Sequence, residues 1–304
     1  MRGNVGRMSD LSVVIPTFNT AAMTLRCCRA VLASMPQSTE IIVADDGSTD
    51  GTSELLVCEM PSVQVVRLES NRGFATAANR GAGVARGGII LLLNSDAMVS
   101  EGTLQAIVDA FDDPILGVAG ARLVNEDGTE QWSGGRTPTL PWMIGVVSGA
   151  GRFARLFRRR KPEHRQECLS EVDWVSGAVM AFRREVWDAA GPFDERFRFY
   201  CQDIEFCLRA RKAGWRVAVV EDARVVHAIG RTVAADDALR HDPARLWPDL
   251  LDWGTSHYGR RWSVVARIVL VIAAWLRVLW SGIFRRRQTA ALIRGARSLQ
   301  RSDS

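Results

Sequence analysis

Four short, nearly continuous apolar runs constrain this chain more than any other feature. They are Leu11-Ser-Val-Val-Ile15, Glu40-Ile-Ile-Val-Ala44, Val63-Gln-Val-Val-Arg-Leu68 and Gly88-Ile-Ile-Leu-Leu-Leu93. A strand that is apolar at consecutive positions is buried on both faces, which calls for a parallel sheet covered by helices. Helix-compatible stretches at 21–34, 52–58 and 74–85 separate the runs, so the order is βαβαβαβ. A helix at 103–111 and a strand at 116–121 extend the series, and Asn125-Glu-Asp-Gly128 reads as a hairpin turn. The predicted class is α/β, with a Rossmann-like, mostly parallel central sheet flanked by helices.

Past this point the alternation stops. Residues 133–170 mix Gly and Pro with a basic run (Arg152, Arg155, Arg158, Arg159, Arg160, Lys161, Arg165) and read as a mobile loop or short helix. Order resumes with a strand at 175–182, a helix at 203–213 stopped by Gly214, two short strands at 216–220 and 223–227, and a helix at 245–258. The expected organisation is a flexible lead-in (1–10), a main domain (11–240) in two halves (11–121 and 122–240), and a C-terminal helical tail (241–304).

The formal charge of +5 is unevenly placed: from Gly259 onward there are ten Arg and one Asp, a net +9, which leaves −4 on the body. A basic tail on an acidic body argues against nucleic-acid binding and for a membrane-seeking appendage. Within that tail, residues 262–284 are as long as a spanning helix, but Arg267 and Arg277 interrupt them. At 100° per residue these two Arg lie about 80° apart, so they can share one polar side. With Arg285-Arg-Arg287 behind them, they fit an amphipathic helix lying on anionic lipid better than a transmembrane span. The six cysteines form no CxxC pair and no metal-spaced cluster, and the first residues lack a signal-peptide core, so a reducing cytoplasm is expected.

Chemistry-bearing residues gather at the ends of the strands. Pro16-Thr-Phe-Asn19 closes the first and Asp45-Asp-Gly-Ser48 the second, where a carboxylate beside a Gly turn can accept from a base N–H or a ribose hydroxyl. Asn71-Arg-Gly-Phe74 opens the next helix and offers Arg72 and free N–H groups to an anion. Asn94-Ser-Asp96 ends the most apolar strand, where a carboxylate can hold a hard divalent cation shared with substrate phosphates.

In this order the pieces resemble the family 2 glycosyltransferases of GT-A fold, and most closely the rhamnosyltransferase branch. The resemblance runs through Asn71 to Asn79, through Ser176-Gly-Ala178 and Gly191-Pro-Phe-Asp-Glu-Arg-Phe197, to Gln202-Asp-Ile-Glu205, Arg209 and His227, and covers roughly residues 11–232. It implies donor contacts at Pro16, Thr17, Asn19, Asp45, Asp46, Arg72, Asn79, Asn94 and Ser95. Acceptor contacts would be Gly177, Ala178, Gln202, Glu205 and Arg209. Asp203 would be the catalytic base, and Asp96 and His227 would ligate Mg2+ or Mn2+. Where the family often has Asp, this chain has Asn94, which lowers the charge at the metal. The implied reaction is inverting transfer of a sugar, with rhamnose from dTDP-rhamnose foremost and a UDP-sugar next. The acceptor would be a glycan or a polyprenyl-diphosphate-linked oligosaccharide, and the work would be cell-envelope synthesis at the inner face of the membrane. Two other readings remain: a non-catalytic membrane-bound nucleotide-sugar sensor, and a nucleotidyltransferase, which lacks here the basic Gly-rich loop it needs after strand one.

Overall fold

The computed structural model describes residues 11–34, 39–140, 168–197, 200–228, 243–281, 293–296 and 299; the lead-in and the basic run at 152–165 lie outside them. The chain divides into two compact units: residues 1–136, 166–198 and 202–232, and residues 137–165, 199–201 and 233–304.

In the first unit, β1 (Leu11–Thr17), β2 (Thr39–Asp45), β3 (Gln64–Arg67) and β4 (Ile89–Leu93) form the parallel core in the order β3-β2-β1-β4. The crossovers are α1 (Ala21–Ser34), α2 (Thr52–Glu59) and α3 (Phe74–Val84). Every residue of β1 is buried. Burying each of Val13, Val14 and Ile15 contributes roughly 1.5–3 kcal/mol, which is why this strand is central.

Beyond β4 come β5 (Ala97–Val99), α4 (Thr103–Ala110) and β6 (Leu116–Val124), then β7 (Gly134–Gly135), β8 (Leu169–Glu171), β9 (Trp174–Val175) and β10 (Val179–Arg183). α5 (Arg184–Ala190), α6 (Gln202–Lys212) and β11 (Arg216–His227) complete the unit. β10 runs antiparallel between β4 and β6, and β11 pairs parallel with β6 and antiparallel with β5 and β8. The sheet is therefore mixed in its second half. The expected strand at 175–182 is two strands, because Ser176-Gly-Ala178 leaves the ladder. The two strands expected at 216–227 are one, kept continuous across Glu221-Asp222 by a register shift between Val220 and Arg224. Behind α6, Phe182, Trp187, Phe193 and Phe206 form a ring cluster with centroids 4.7–6.2 Å apart, which fixes that helix on the sheet.

The second unit holds α7 (Pro243–Tyr258) and α8 (Arg260–Ser281), which pack on each other. Gly254 permits their close approach: a Cβ there would fall inside the ring of Trp262.

Candidate active site

The parallel register sets Thr17 beside Asp45, and Asp45 beside Arg67, at the carboxyl ends of β1, β2 and β3. Pro16 lies one step inside, buried against Ala44. Asp45 is fully buried and turned inward: Oδ1 accepts from the Ser48 N–H at 2.9 Å, Oδ2 from the Ser53 hydroxyl, and Arg67 Nε lies 4.0 Å away. Asp46 anchors the start of α3, accepting the N–H groups of Arg72 and Gly73 at 2.8 Å each. Gly47, at φ 74°, is required between them, because a Cβ would stand 2.7 Å from Ser70 Cα. Asn19 ties the first loop to the second, donating from its N–H to Ser48 Oγ at 2.9 Å and accepting from the Thr49 N–H at 2.8 Å. Three loops thus form one rim, and the exposed Arg72 guanidinium stands on it.

Asn79 sits elsewhere. Its Oδ1 accepts from the Phe193 N–H at 2.9 Å, while Nδ2 donates to Phe193 O at 2.9 Å and Glu195 Oε1 at 3.1 Å. That amide clasps the loop before α6 to α3, so it serves the scaffold instead of the rim.

The pairing of β11 with β5 sets His227 opposite Ala97 and so brings it onto Asp96, with Nε2 3.2 Å from Oδ1. Gln131 fixes the tautomer. Its Nε2 donates to His227 O (2.5 Å) and Asn125 Oδ1 (2.8 Å), which leaves Oε1 to accept from His227 Nδ1–H at 2.9 Å. In the neutral imidazole this proton placement leaves Nε2 a lone pair, to which Asn94 Nδ2 can donate at 3.3 Å. Asp96 Oδ1, buried, has no donor at all. With the imidazole neutral, two acceptors face each other across 3.2 Å, which is unfavourable unless a metal ion or a second ring proton lies between them. Neighbouring ligands of an octahedral cation stand about 3 Å apart, so this pair fits Mg2+ or Mn2+. Among the described residues no third His, Cys, Asp or Glu joins them, which suits an ion that keeps its remaining positions for water and substrate phosphates. The Asn at position 94 has a local use, since an ionised Asp could not donate to the imidazole.

A chain of buried hydroxyls backs this pair. Thr24 Oγ1 donates to Thr20 O (2.9 Å), the hydroxyls of Thr17, Thr20 and Thr24 lie 2.7–3.1 Å from one another, and Ser95 Oγ lies 3.1 Å from Thr20 Oγ1. Ser95 lines a 30 Å³ cavity with Asp96, Arg26 and Glu126. That cavity has room for one water.

Asp203 opens α6, with Oδ2 accepting from the Gly177 N–H at 3.1 Å and Oδ1 from the Ile204 N–H at 2.8 Å. Burial pushes its carboxyl above the ordinary value, and the N–H groups of Gly177, Ile204 and Asp203 itself pull the other way. Ala178 O accepts from the Asn94 N–H at 2.9 Å, so Ser176-Gly-Ala178 links Asp203 to the Asn94–Asp96 turn. Glu205 and Arg209 are engaged with each other, Nε lying 2.8 Å from both carboxylate oxygens. Arg209 also donates to the carbonyls of Ala190, Gly191 and Pro192, sealing the end of α5. Gln202 is buried beside them. The expected acceptor set thus separates into Gly177 and Ala178 at the site and a Glu205–Arg209 pair that braces helices. Burial pushes the thiols of Cys27, Cys28 and Cys207 up, Cys28 to about 12, which holds these three unreactive.

Comparison with known proteins gives this arrangement its family. Residues 12–190 match the family described as Glycosyl transferase family 2. The chain belongs to that family. Over 251 residues it is 29% identical to the N-acetylglucosaminyl-diphospho-decaprenol L-rhamnosyltransferase of Mycobacterium tuberculosis, covering 76% of this chain and 80% of the relative. A 104-residue stretch is 38% identical to Glycosyltransferase GlyG of Streptococcus pneumoniae, covering 33% of this chain and 35% of the relative. The fold is GT-A. The mannosyltransferase PcManGT of Pyrobaculum calidifontis, solved with GDP-Man and Mn2+, superposes with a TM-score of 0.57 at 16% identity, over 99% of this chain and 89% of that one. GalNAc-T7, solved with UDP, GalNAc and Mn2+, gives 0.54 at 19% identity over 72% of this chain and 43% of its own. The protein is a family 2 glycosyltransferase.

Proposed function

We propose that the protein is an inverting, divalent-metal-dependent transferase that moves a hexose, foremost rhamnose from dTDP-rhamnose, onto a polyprenyl-diphosphate-linked acceptor at the inner face of a membrane. The observation that carries metal dependence is the facing of two bare acceptors, Asp96 Oδ1 and His227 Nε2. The relative's printed name supports the lipid-linked acceptor and the rhamnose donor.

Asp96 and His227 would hold Mg2+ or Mn2+, which when bound offsets the charge of the departing diphosphate. Thr17, Asp46 and Asn19 shape the rim that takes the nucleoside, and Arg72 and the α3 N-terminus face its phosphates. Ser95, hydrogen-bonded to Thr20, presents its hydroxyl beside Asp96 on the donor side. Asp203 takes the acceptor's hydroxyl proton as the oxygen attacks the anomeric carbon from the face opposite the leaving group. Its raised pKa suits that task, because a stronger base removes the proton more readily. One Asp suffices for inversion, and no covalent sugar intermediate is needed.

The test is a donor screen with Mn2+, reading nucleoside diphosphate release with and without a prenyl-diphosphate-sugar acceptor. Acceptor-dependent release from dTDP-rhamnose, with the product inverted at the anomeric carbon, is expected. Donor binding without release to any acceptor would favour the sensor reading instead.

A further inference from the structure

Twelve large apolar side chains are exposed among the described residues, and six of them lie on α8: Val264, Val265, Ile268, Ile272, Trp275 and Leu276, each 46–61% exposed. At 100° per residue they fall within about 120° of one another, a single stripe roughly 18 Å long. The opposite side of the same helix is buried through Ala266, Leu270, Ala273 and Ala274. The helix is thus apolar on both sides, with one side packed and the other open. No helix among the described residues is long and apolar enough to cross a membrane.

We infer that this stripe is the membrane-docking surface of the protein, lying in the headgroup layer of an anionic bilayer. Charge argues for lipid. Arg260 and Arg261 are exposed in the first turn, where cations oppose the helix dipole and no acidic residue offsets them, so their placement does not serve the helix itself. They flank the apolar stripe, and in sequence Arg285, Arg286 and Arg287 follow its other end. An apolar face edged by Arg is what an anionic interface takes up. Area argues against a second copy of the chain. The stripe exposes on the order of 500 Å², above most chance patches and short of the roughly 800 Å² per partner of a stable dimer. Arg267, expected to mark a polar side with Arg277, instead turns to the Leu299 carbonyl at 3.0 Å, while the Arg277 side chain lies outside the described residues.

The choice of lipid rests in part on the lipid-linked acceptor proposed above, so the test separates the two. The full chain is sedimented with vesicles of one-third phosphatidylglycerol in phosphatidylcholine, and with phosphatidylcholine alone. Preferential, salt-sensitive binding to the anionic vesicles is expected. Ile268→Ser with Ile272→Ser should weaken it at least tenfold. Arg260→Ser with Arg261→Ser should weaken it about 30-fold on anionic vesicles, at about 1 kcal/mol per Arg. Both pairs are exposed, so the melting temperature should hold. Binding unchanged in the Ile pair overturns the inference, and so does a wild-type dimer that the Ile pair dissolves without any vesicle binding. Donor turnover on a water-soluble acceptor is measured in parallel. Vesicle binding without turnover sinks the transferase reading alone, and turnover without vesicle binding sinks the docking surface alone.

Discussion

Replacing Gln131 with Leu probes the metal pair without touching either ligand. In the wild type Gln131 Oε1 accepts from His227 Nδ1–H at 2.9 Å, and its Nε2 is held by His227 O at 2.5 Å and Asn125 Oδ1 at 2.8 Å, so the amide cannot flip. Leu fills similar space but accepts nothing. The half-buried Nδ1–H then has no partner, at a cost of about 1–3 kcal/mol. The imidazole recovers that cost by moving its proton to Nε2, where it donates to Asp96 Oδ1. That tautomer has no lone pair for a cation. Binding an ion must reverse the change, so the same 1–3 kcal/mol appears as metal affinity lost, roughly 10- to 100-fold, in the range usual for groups that orient ligands. The assay is the free Mn2+ signal in electron paramagnetic resonance, titrated with protein in the presence of UDP. A dissociation constant raised 10- to 100-fold is expected, with the turnover rate at saturating Mn2+ within about threefold of wild type. An affinity unchanged within twofold, in a variant with normal melting, would refute the tautomer argument.

Three further outcomes follow from the same geometry. Thr20→Val removes the hydroxyl that links Thr17, Thr24 and Ser95, and should cost about 1–3 kcal/mol of stability and raise the KM for donor; Thr20→Ser should restore both, read by thermal melting and initial rates. Arg209→Met leaves the nearly buried Glu205 carboxylate and the α5 carbonyls without their partner, so urea unfolding should show a loss of about 3 kcal/mol; full stability with a raised acceptor KM would mean that Arg209 touches the acceptor after all. Because the Asp203 pKa is raised, the group binds its proton more tightly in the folded protein. Transfer should therefore fall on the acid side at a pH above the ordinary carboxylate value, and the contribution of Asp203 to stability should be greatest below its unfolded pKa and lost as pH rises through the folded one. A kcat/KM profile flat down to pH of about 4 would contradict this.

The sequence made the parallel core readable because burial on both faces writes itself as unbroken apolar runs; α1 falls at the expected residues 21–34. It hid what long-range register decides. β5 is a three-residue strand beginning one residue after Asp96, too short for any periodicity, yet its pairing with β11 delivers His227 to Asp96. Gln131 is a lone amide on a hairpin arm and gives no local signal. The hydroxyl chain gave no periodic signal, since Thr17 ends β1, Thr20 precedes α1 and only Thr24 lies on the helix. The Glu205–Arg209 pair could have been found, four apart on a helix, which the family resemblance assigned to the acceptor. Asn79 was the harder case, because its partner at Phe193 lies 114 residues away.

The division of labour between Asp96 with His227 on the donor side and Asp203 on the acceptor side meets its most direct test in one variant. With Mn2+, dTDP-rhamnose and a prenyl-diphosphate-sugar acceptor, Asp203→Asn should bind donor as the wild type does and transfer at least about 100-fold more slowly, the loss lying in kcat. Transfer at the wild-type rate would show that Asp203 is not the base and would overturn the assignment.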